Sequence, residues 1–410
     1  MSTRTISATN EESSAGTPTA RPTNLGPALI MHEAFPSLSY GIQAFLWWNG
    51  TTRERDLEHI RQLRFNYVKQ IFGWNDVRAS KDVPYDWSRA DLIVAEAKYR
   101  GIKVIARLGQ APYWAVRPSS SDPTEPPYDE QAFGEYCHDI ATRYKGQIAG
   151  YQVWNEPNLS REWGGRPPNP AAYVKFLAPC YQAIKAADPD AVVISAPLAP
   201  TGTDAADVMT DQRYLEGMFA AGLSSYYDAL GLNAPGYKWA PETSPDDPSL
   251  TGSRFFVFRH VEDMRAIQVA HGDGARQIAI LEVGWTTDVR DQIKDAQGNL
   301  IPNPYRWHAV TEGQQSDYLV AAYAYAAEHW RPWVGLMTTI YLADPKWTPD
   351  DEEYWWSISL PGMNNAVRGA FINLANAPRY IDATVIPSIG AGDNPYVPMP
   401  PMPTFTPSAP

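Results

Sequence analysis

The chain has 410 residues, 44% of them hydrophobic, with 46 acidic side chains against 34 basic ones and a formal net charge of -12. That length supports a large buried core, and a single (β/α)8 barrel needs only about 250 residues. The acidic balance argues against nucleic-acid and anionic-membrane partners, which need concentrated Lys and Arg, and fits a neutral substrate. Cys137 and Cys180 are the only cysteines, too few for a disulfide scaffold or a Cys-rich metal site. They would pair if two neighbouring helices brought them together, but buried free thiols are the expectation.

Residues 1–27 are rich in Ser, Thr and Ala and read as a disordered tail; their start lacks the apolar run of a secretory signal. No later stretch approaches the ~20 apolar residues of a membrane span. Residues 28–385 then alternate β-type runs with helical stretches, the order of a parallel α/β fold. Eight strand candidates follow in chain order: 41–48, 66–74, 102–108, 148–154, 191–196, 229–233, 277–283 and 334–342. Among the helices, Phe133, Tyr136, Cys137, Ile140, Ala141 and Tyr144 form one apolar stripe that would pack on a barrel wall. Another, over 171–186, contains Pro179, which should kink or split it. The run Arg53-Glu54-Arg55-Asp56 reads as a solvated first helical turn. Residues 386–410 form a Pro-rich tail, with seven prolines after Asn394.

Eight strands, with no Gly-rich phosphate loop after any of them, point to a closed (β/α)8 barrel, whose active site lies at the carboxyl ends of the strands. The tryptophans follow that polarity. Of fifteen, at least twelve fall at strand ends or in the loops beyond them. Flat apolar faces match the C–H face of a sugar ring, and Trp114, Trp163, Trp285 and Trp347 are candidate platforms, although several tryptophans would simply close the barrel top.

Two carboxylates stand out. Glu156 ends the fourth strand in Val153-Trp154-Asn155-Glu156-Pro157, and Glu282 ends the seventh in Ile280-Leu281-Glu282-Val283-Gly284. An ionisable group in an apolar strand is costly to bury without a reason, and these two strand ends face each other across a barrel mouth. They read as a working pair.

At these positions the chain resembles glycoside hydrolase clan A, near the family thirty-nine xylosidases and the cellulase-like family five proteins. The similarity also takes in Leu63-Arg64-Phe65-Asn66-Tyr67-Val68-Lys69 and Leu108-Gly109-Gln110-Ala111-Pro112-Tyr113-Trp114. The resemblance implies a retaining hydrolase of β-O-glycosides, with Glu282 as nucleophile, Glu156 as acid/base, Asn155 on the sugar 2-hydroxyl and no cofactor. Tyr237 is the candidate for holding Glu282. Two departures bear on the site: Lys69 stands where the clan usually has Arg, and Asn233 where many relatives have His. Rival readings are a catalytically silent carbohydrate-binding barrel and a transglycosylase on the same site.

The expected partner is an oligo- or polysaccharide. The tail 386–410 resembles the Pro/Thr spacers of extracellular carbohydrate-active proteins, which would link the chain to further modules and place it outside or at the surface of the cell. The seven histidines show no metal-ligand pair and read as helix surface or packing residues. The long loops 287–310 and 343–357 would wall a pocket or flank a cleft.

Overall fold

A computed structural model describes residues 30–380 apart from 32, 119, 121, 296, 363 and 364, so the tails 1–27 and 386–410 lie outside the described residues. Its strands are β1 (Ser39–Gln43), β2 (Tyr67–Gly73), β3 (Lys103–Gly109), β4 (Ile148–Val153), β5 (Val192–Ile194), β6 (Ala229–Asn233), β7 (Gln277–Val283), the short β8 (Gln292–Lys294) and β9 (Leu300–Pro302), and β10 (Val334–Thr339). β1 to β7 and β10 close a parallel barrel, each strand pairing with the next and β10 returning to β1, with helices between them. This is the expected (β/α)8 barrel. β8 and β9 form an antiparallel hairpin apart from it, within the loop after β7. That hairpin was not read from the sequence; its strands are three residues long and largely exposed, so neither shows an apolar alternation.

The barrel interior is apolar at the bottom and polar at the top. Phe35, Tyr67, Ile105, Ile194, Ala229, Ala279, Leu281 and Leu336 form a buried cluster of their own, separate from the larger core between strands and helices. Going up the same strands, the alternating positions become Lys69, Arg107 and Asn233. The plug below fixes the strands; the polar layer above faces the mouth.

The helix Glu130–Arg143 is capped by Asp129, which accepts from the amides of Gln131 and Ala132, and it buries the predicted stripe from Phe133 to Ala141. Its neighbour, Pro170–Ala187, starts at the cap Asn169 and continues through Pro179 as one helix, so the expected split does not occur. The Pro179 ring lies against Gly134, where a Cβ would come within 3.2 Å of it; tertiary packing outweighs the lost backbone hydrogen bond.

At this crossing Cys137 and Cys180 are joined in a disulfide, their Cα atoms 5.3 Å apart. This corrects the expectation of free thiols. Consecutive crossover helices of a barrel lie side by side, and the inward stripe of one meets that of the other.

The charged run at 53–56 is also corrected. Only Glu54 is exposed, whereas Arg53, Arg55 and Asp56 are buried. Arg53 pairs with Glu96 of the next helix at 2.7 Å, and Arg55 with Asp56 at 2.8 Å. No helix among the described residues is long and apolar enough to cross a membrane.

Candidate active site

The ends of β4 and β7 leave regular strand geometry in different ways. Past β4, Trp154 and Glu156 take positive φ angles of 73° and 38°, a region that bulky residues enter only when their surroundings enforce it. Three contacts do so. Gln152 donates to the Trp154 carbonyl at 2.8 Å, the Trp154 indole donates to the Glu162 carbonyl at 2.8 Å, and the Glu156 amide donates to the Pro197 carbonyl at 2.9 Å. In β7 the pairing with β6 runs Leu232 to Ile280 and then Asn233 to Glu282, so one residue is inserted. Simple alternation would send Glu282 outward with Ile278 and Ile280. The bulge turns it to the mouth.

Asn233, at the end of β6, links the two carboxylates. Its amide nitrogen donates to Glu156 Oε1 at 2.8 Å and to Glu282 Oε2 at 3.2 Å. The two accepting oxygens therefore lie no farther apart than the sum of those distances, about 6 Å. Lys69, fully buried in β2, donates from Nζ to Glu282 Oε1 and to the Leu281 carbonyl, both at 3.0 Å. Burial pulls the Lys69 ammonium below its ordinary range, while Glu282 opposes that shift. The Glu156 carboxyl is pushed up to about 7, first by burial and second by the charge of Glu282. Arg161, 3.5 Å from Glu156 Oε2, acts in the opposite direction.

Both carboxylates open on a cleft of about 710 Å³. Asn155, Asn233, Tyr237 and Trp347 of the expected site residues line it, and Lys69 reaches it through Glu282. Asn155 is held by Gln152, which donates to its Oδ1 at 3.1 Å. Tyr237 does not hold Glu282; its hydroxyl donates to the Pro200 carbonyl at 3.2 Å, and its ring packs on Phe256, Trp307 and His308.

Three tryptophans expected on the sugar are packed elsewhere. Trp285 is fully buried, its ring so close to Gly236 that a Cβ there would fall 2.0 Å from it, and its N–H donates to the Trp239 carbonyl. Trp163 is buried against Trp154. Trp114 packs edge-on against Trp74 and donates to the Arg78 carbonyl. For Trp163 and Trp285 burying a large ring in the barrel cap outweighs exposing it to a ligand, and Trp114, half-buried, is held away from the cleft by Trp74 and Arg78.

Sequence reasoning missed Arg107, Glu162, His308 and Glu352, all in the cleft wall. Arg107 had a usable signal, since it alternates with Ile105 on the inner face of β3. The other three lie on loops, whose paths no periodicity records. His308, read as a helix surface or packing residue, sits at the end of the loop 287–310; the expectation that this loop and 343–357 wall a pocket or flank a cleft agrees with the placement of His308, Trp347, Glu352, Glu353 and Trp356. Among the described residues no group of three or more His, Cys, Asp or Glu side chains is placed to hold a metal ion.

Residues 31–210 match the model of the cellulase family, glycosyl hydrolase family 5. No curated protein matches the sequence. Among solved structures, the fold is similar to a family 39 glycoside hydrolase from the gut symbiont Bacteroides cellulosilyticus WH2, with a TM-score of 0.57 and 16% identity over 86% of this chain and 64% of that one. The chain thus spans less than two thirds of that protein's length. It is also similar to an exo-β-1,4-mannosidase from Opitutaceae bacterium strain TAV5 (TM-score 0.54, 15% identity, 86% of this chain and 61% of that one). A third similar structure is xylanase 10B from Thermotoga petrophila RKU-1 in complex with xylobiose (TM-score 0.52, 14% identity, 88% and 97%). Residues 31–210 thus match the cellulase model, and the (β/α)8 fold of the whole barrel is shared with a family 39 glycoside hydrolase, an exo-β-1,4-mannosidase and a xylanase.

Proposed function

We propose that the chain hydrolyses β-linked neutral saccharides with retention of configuration, Glu282 acting as nucleophile and Glu156 as acid/base. The observation that carries this is the Asn233 amide held by both carboxylates. A limit of about 6 Å between the two accepting oxygens keeps the carboxylates close together and is compatible with the roughly 5–5.5 Å of retaining enzymes.

The chemistry then follows from the surroundings of each group. Glu156, held protonated up to about pH 7, gives its proton to the departing glycosidic oxygen while Glu282 bonds to the anomeric carbon. The glycosyl ester removes the charge on Glu282 that helped hold the proton on Glu156. Glu156, now ionised, takes a proton from water, whose oxygen attacks the anomeric carbon and releases Glu282. Lys69 orients the nucleophile as an ammonium in place of a guanidinium, so the charge support is kept without the bidentate fork. That supports an active site over a silent barrel. Asn155 is assigned to the sugar 2-hydroxyl, where a hydrogen bond strengthens as positive charge develops on the ring.

Five carboxylates in the cleft wall against two arginines disfavour an anionic sugar. Xylobiose in the fold-related xylanase supports a neutral one. The Cys137–Cys180 disulfide supports an oxidising location outside or at the surface of the cell. The test is mass spectrometry after incubation with 2-fluoro β-xyloside, β-glucoside, β-mannoside and β-galactoside. One of them is expected to leave its glycosyl mass on the peptide carrying Glu282; no adduct with any of the four removes the proposal.

A further inference from the structure

His308 is only 7% exposed, lines the cleft, and neither ring nitrogen has a hydrogen-bond partner. A buried imidazole with both nitrogens unpaired is costly unless something polar arrives to meet them. Its other surroundings are aromatic. Its ring centroid lies 5.5 Å from that of Tyr237, 4.6 Å from Trp307 and 5.8 Å from Trp356. Trp307, the next residue back, stacks on Tyr237 at 5.7 Å and is 47% exposed at the rim. A polar pair of nitrogens is therefore framed by flat apolar faces, one of them open to solvent. Sugars present that combination from the other side: hydroxyls at the ring edge and C–H bonds on the ring face.

The position of this group relative to the reacting bond follows from Tyr237. Its hydroxyl donates to Pro200, in the loop beside Glu156, and among charged groups Glu156 acts on it most strongly. Glu282 is instead approached by Lys69 from β2, on the opposite side of the mouth. The proton donor serves the leaving group, so the side of the cleft that holds Tyr237 and His308 is the leaving-group side.

We propose that His308, Tyr237 and Trp307 form the subsite for the leaving-group sugar, with the two imidazole nitrogens bonding ring hydroxyls and Trp307 stacking on a sugar face. This rests on Glu156 being the proton donor. Burial pulls the His308 imidazole down to about 4, so at neutral pH one nitrogen donates and the other accepts, which suits hydroxyls that do both.

Two measurements test the subsite. His308→Phe keeps a ring and removes both nitrogens. It is expected to lower kcat/KM on cellotriose, xylotriose or mannotriose, whichever the intact chain cleaves, by about tenfold or more, while a 4-nitrophenyl glycoside of the same sugar, which has no leaving-group hydroxyls, stays within about twofold. Trp307→Ala, at an exposed position, is expected to lower kcat/KM on the same trisaccharide by about fivefold or more; it is read on the trisaccharide alone, because a nitrophenyl ring stacks on the same indole. An equal loss from His308→Phe on both substrates, or an unchanged trisaccharide rate with either variant, overturns the subsite. Calorimetry with the same three trisaccharides separates it from the hydrolase reading: Glu156→Gln is expected to bind one of them about tenfold more tightly than Glu156→Gln/His308→Phe. If Glu156→Gln binds a trisaccharide and the intact chain cleaves nothing, hydrolysis is refuted and the affinity difference alone decides the subsite. No binding to Glu156→Gln, or equal binding by the two variants, overturns the subsite regardless of activity.

Discussion

Lys69 donates to Glu282 at 3.0 Å from a side chain with no exposed surface. A charge buried that deeply is held in place by its partner, and the partner by it. Lys69→Met removes the ammonium at nearly constant length and is expected to lower kcat by about 10²-fold, on the scale of removing one preorganised donor from an active site. Lys69→Arg keeps the charge and should lose less. Steady-state kinetics on an aryl glycoside, with near-ultraviolet dichroism to confirm folding, would measure both; equal losses would show that charge at this position does not matter.

The Glu156 proton sets an alkaline limb on activity. Its carboxyl is raised to about 7, and the form that serves the first step is the protonated one, so kcat/KM should be full below that pH and fall as pH rises through it. Arg161 favours the ionised form of Glu156. Arg161→Gln should therefore move the limb upward, by about half a pH unit because water screens an exposed guanidinium. A limb that stays put or moves down contradicts the contact.

Away from the cleft, buried His260 bonds Asp211 at 2.8 Å and Asp263 at 2.9 Å, joining the helices Asp211–Ala220 and Val261–Ala270. Burial lowers its proton affinity, but the two carboxylates override this and raise the pKa from 6.5 to about 9. A raised folded-state value means stability that is complete below the unfolded value and is lost as pH climbs through about 9. His260→Ala should cost about 3–5 kcal/mol near pH 6, by leaving buried Asp211 without its charged partner, while Asp263 keeps Arg254. The gap to the parent chain should narrow near pH 9.5, as read by urea denaturation at both values.

The Cys137–Cys180 disulfide closes a 43-residue separation. A loop of that length restrains the unfolded chain by about 4 kcal/mol, or about 5 °C in Tm for a domain this size. Calorimetric scans with and without reductant, and of Cys137→Ala/Cys180→Ala, should both show the drop. An unchanged Tm would mean that the bond contributes nothing to stability.

Much of the architecture was readable before the coordinates. The eight barrel strands lie within the predicted runs or extend only two residues beyond them, because parallel strands buried on both faces are near-continuous apolar runs bounded by polar turns. The helix with Pro179 and the run at 53–56 misled for one reason. Local rules price a proline or a charge against water and an isolated helix, whereas here Gly134 accepts the proline ring and Glu96 meets Arg53.

The candidate site divides along the same line. Sequence by itself determined which two carboxylates stand at the fourth and seventh strand ends, and that Lys69 and Asn233 stand beside them, since strand order and residue identity are local facts. Tertiary structure alone decided the rest. The bulge in β7 turned Glu282 inward, Asn233 set the spacing of the pair, Trp163 and Trp285 went into the cap, and His308 came from a distant loop to the cleft wall. Such outcomes depend on which distant surfaces compete for the same ring or hydrogen bond, and those neighbours exist only once the barrel has closed.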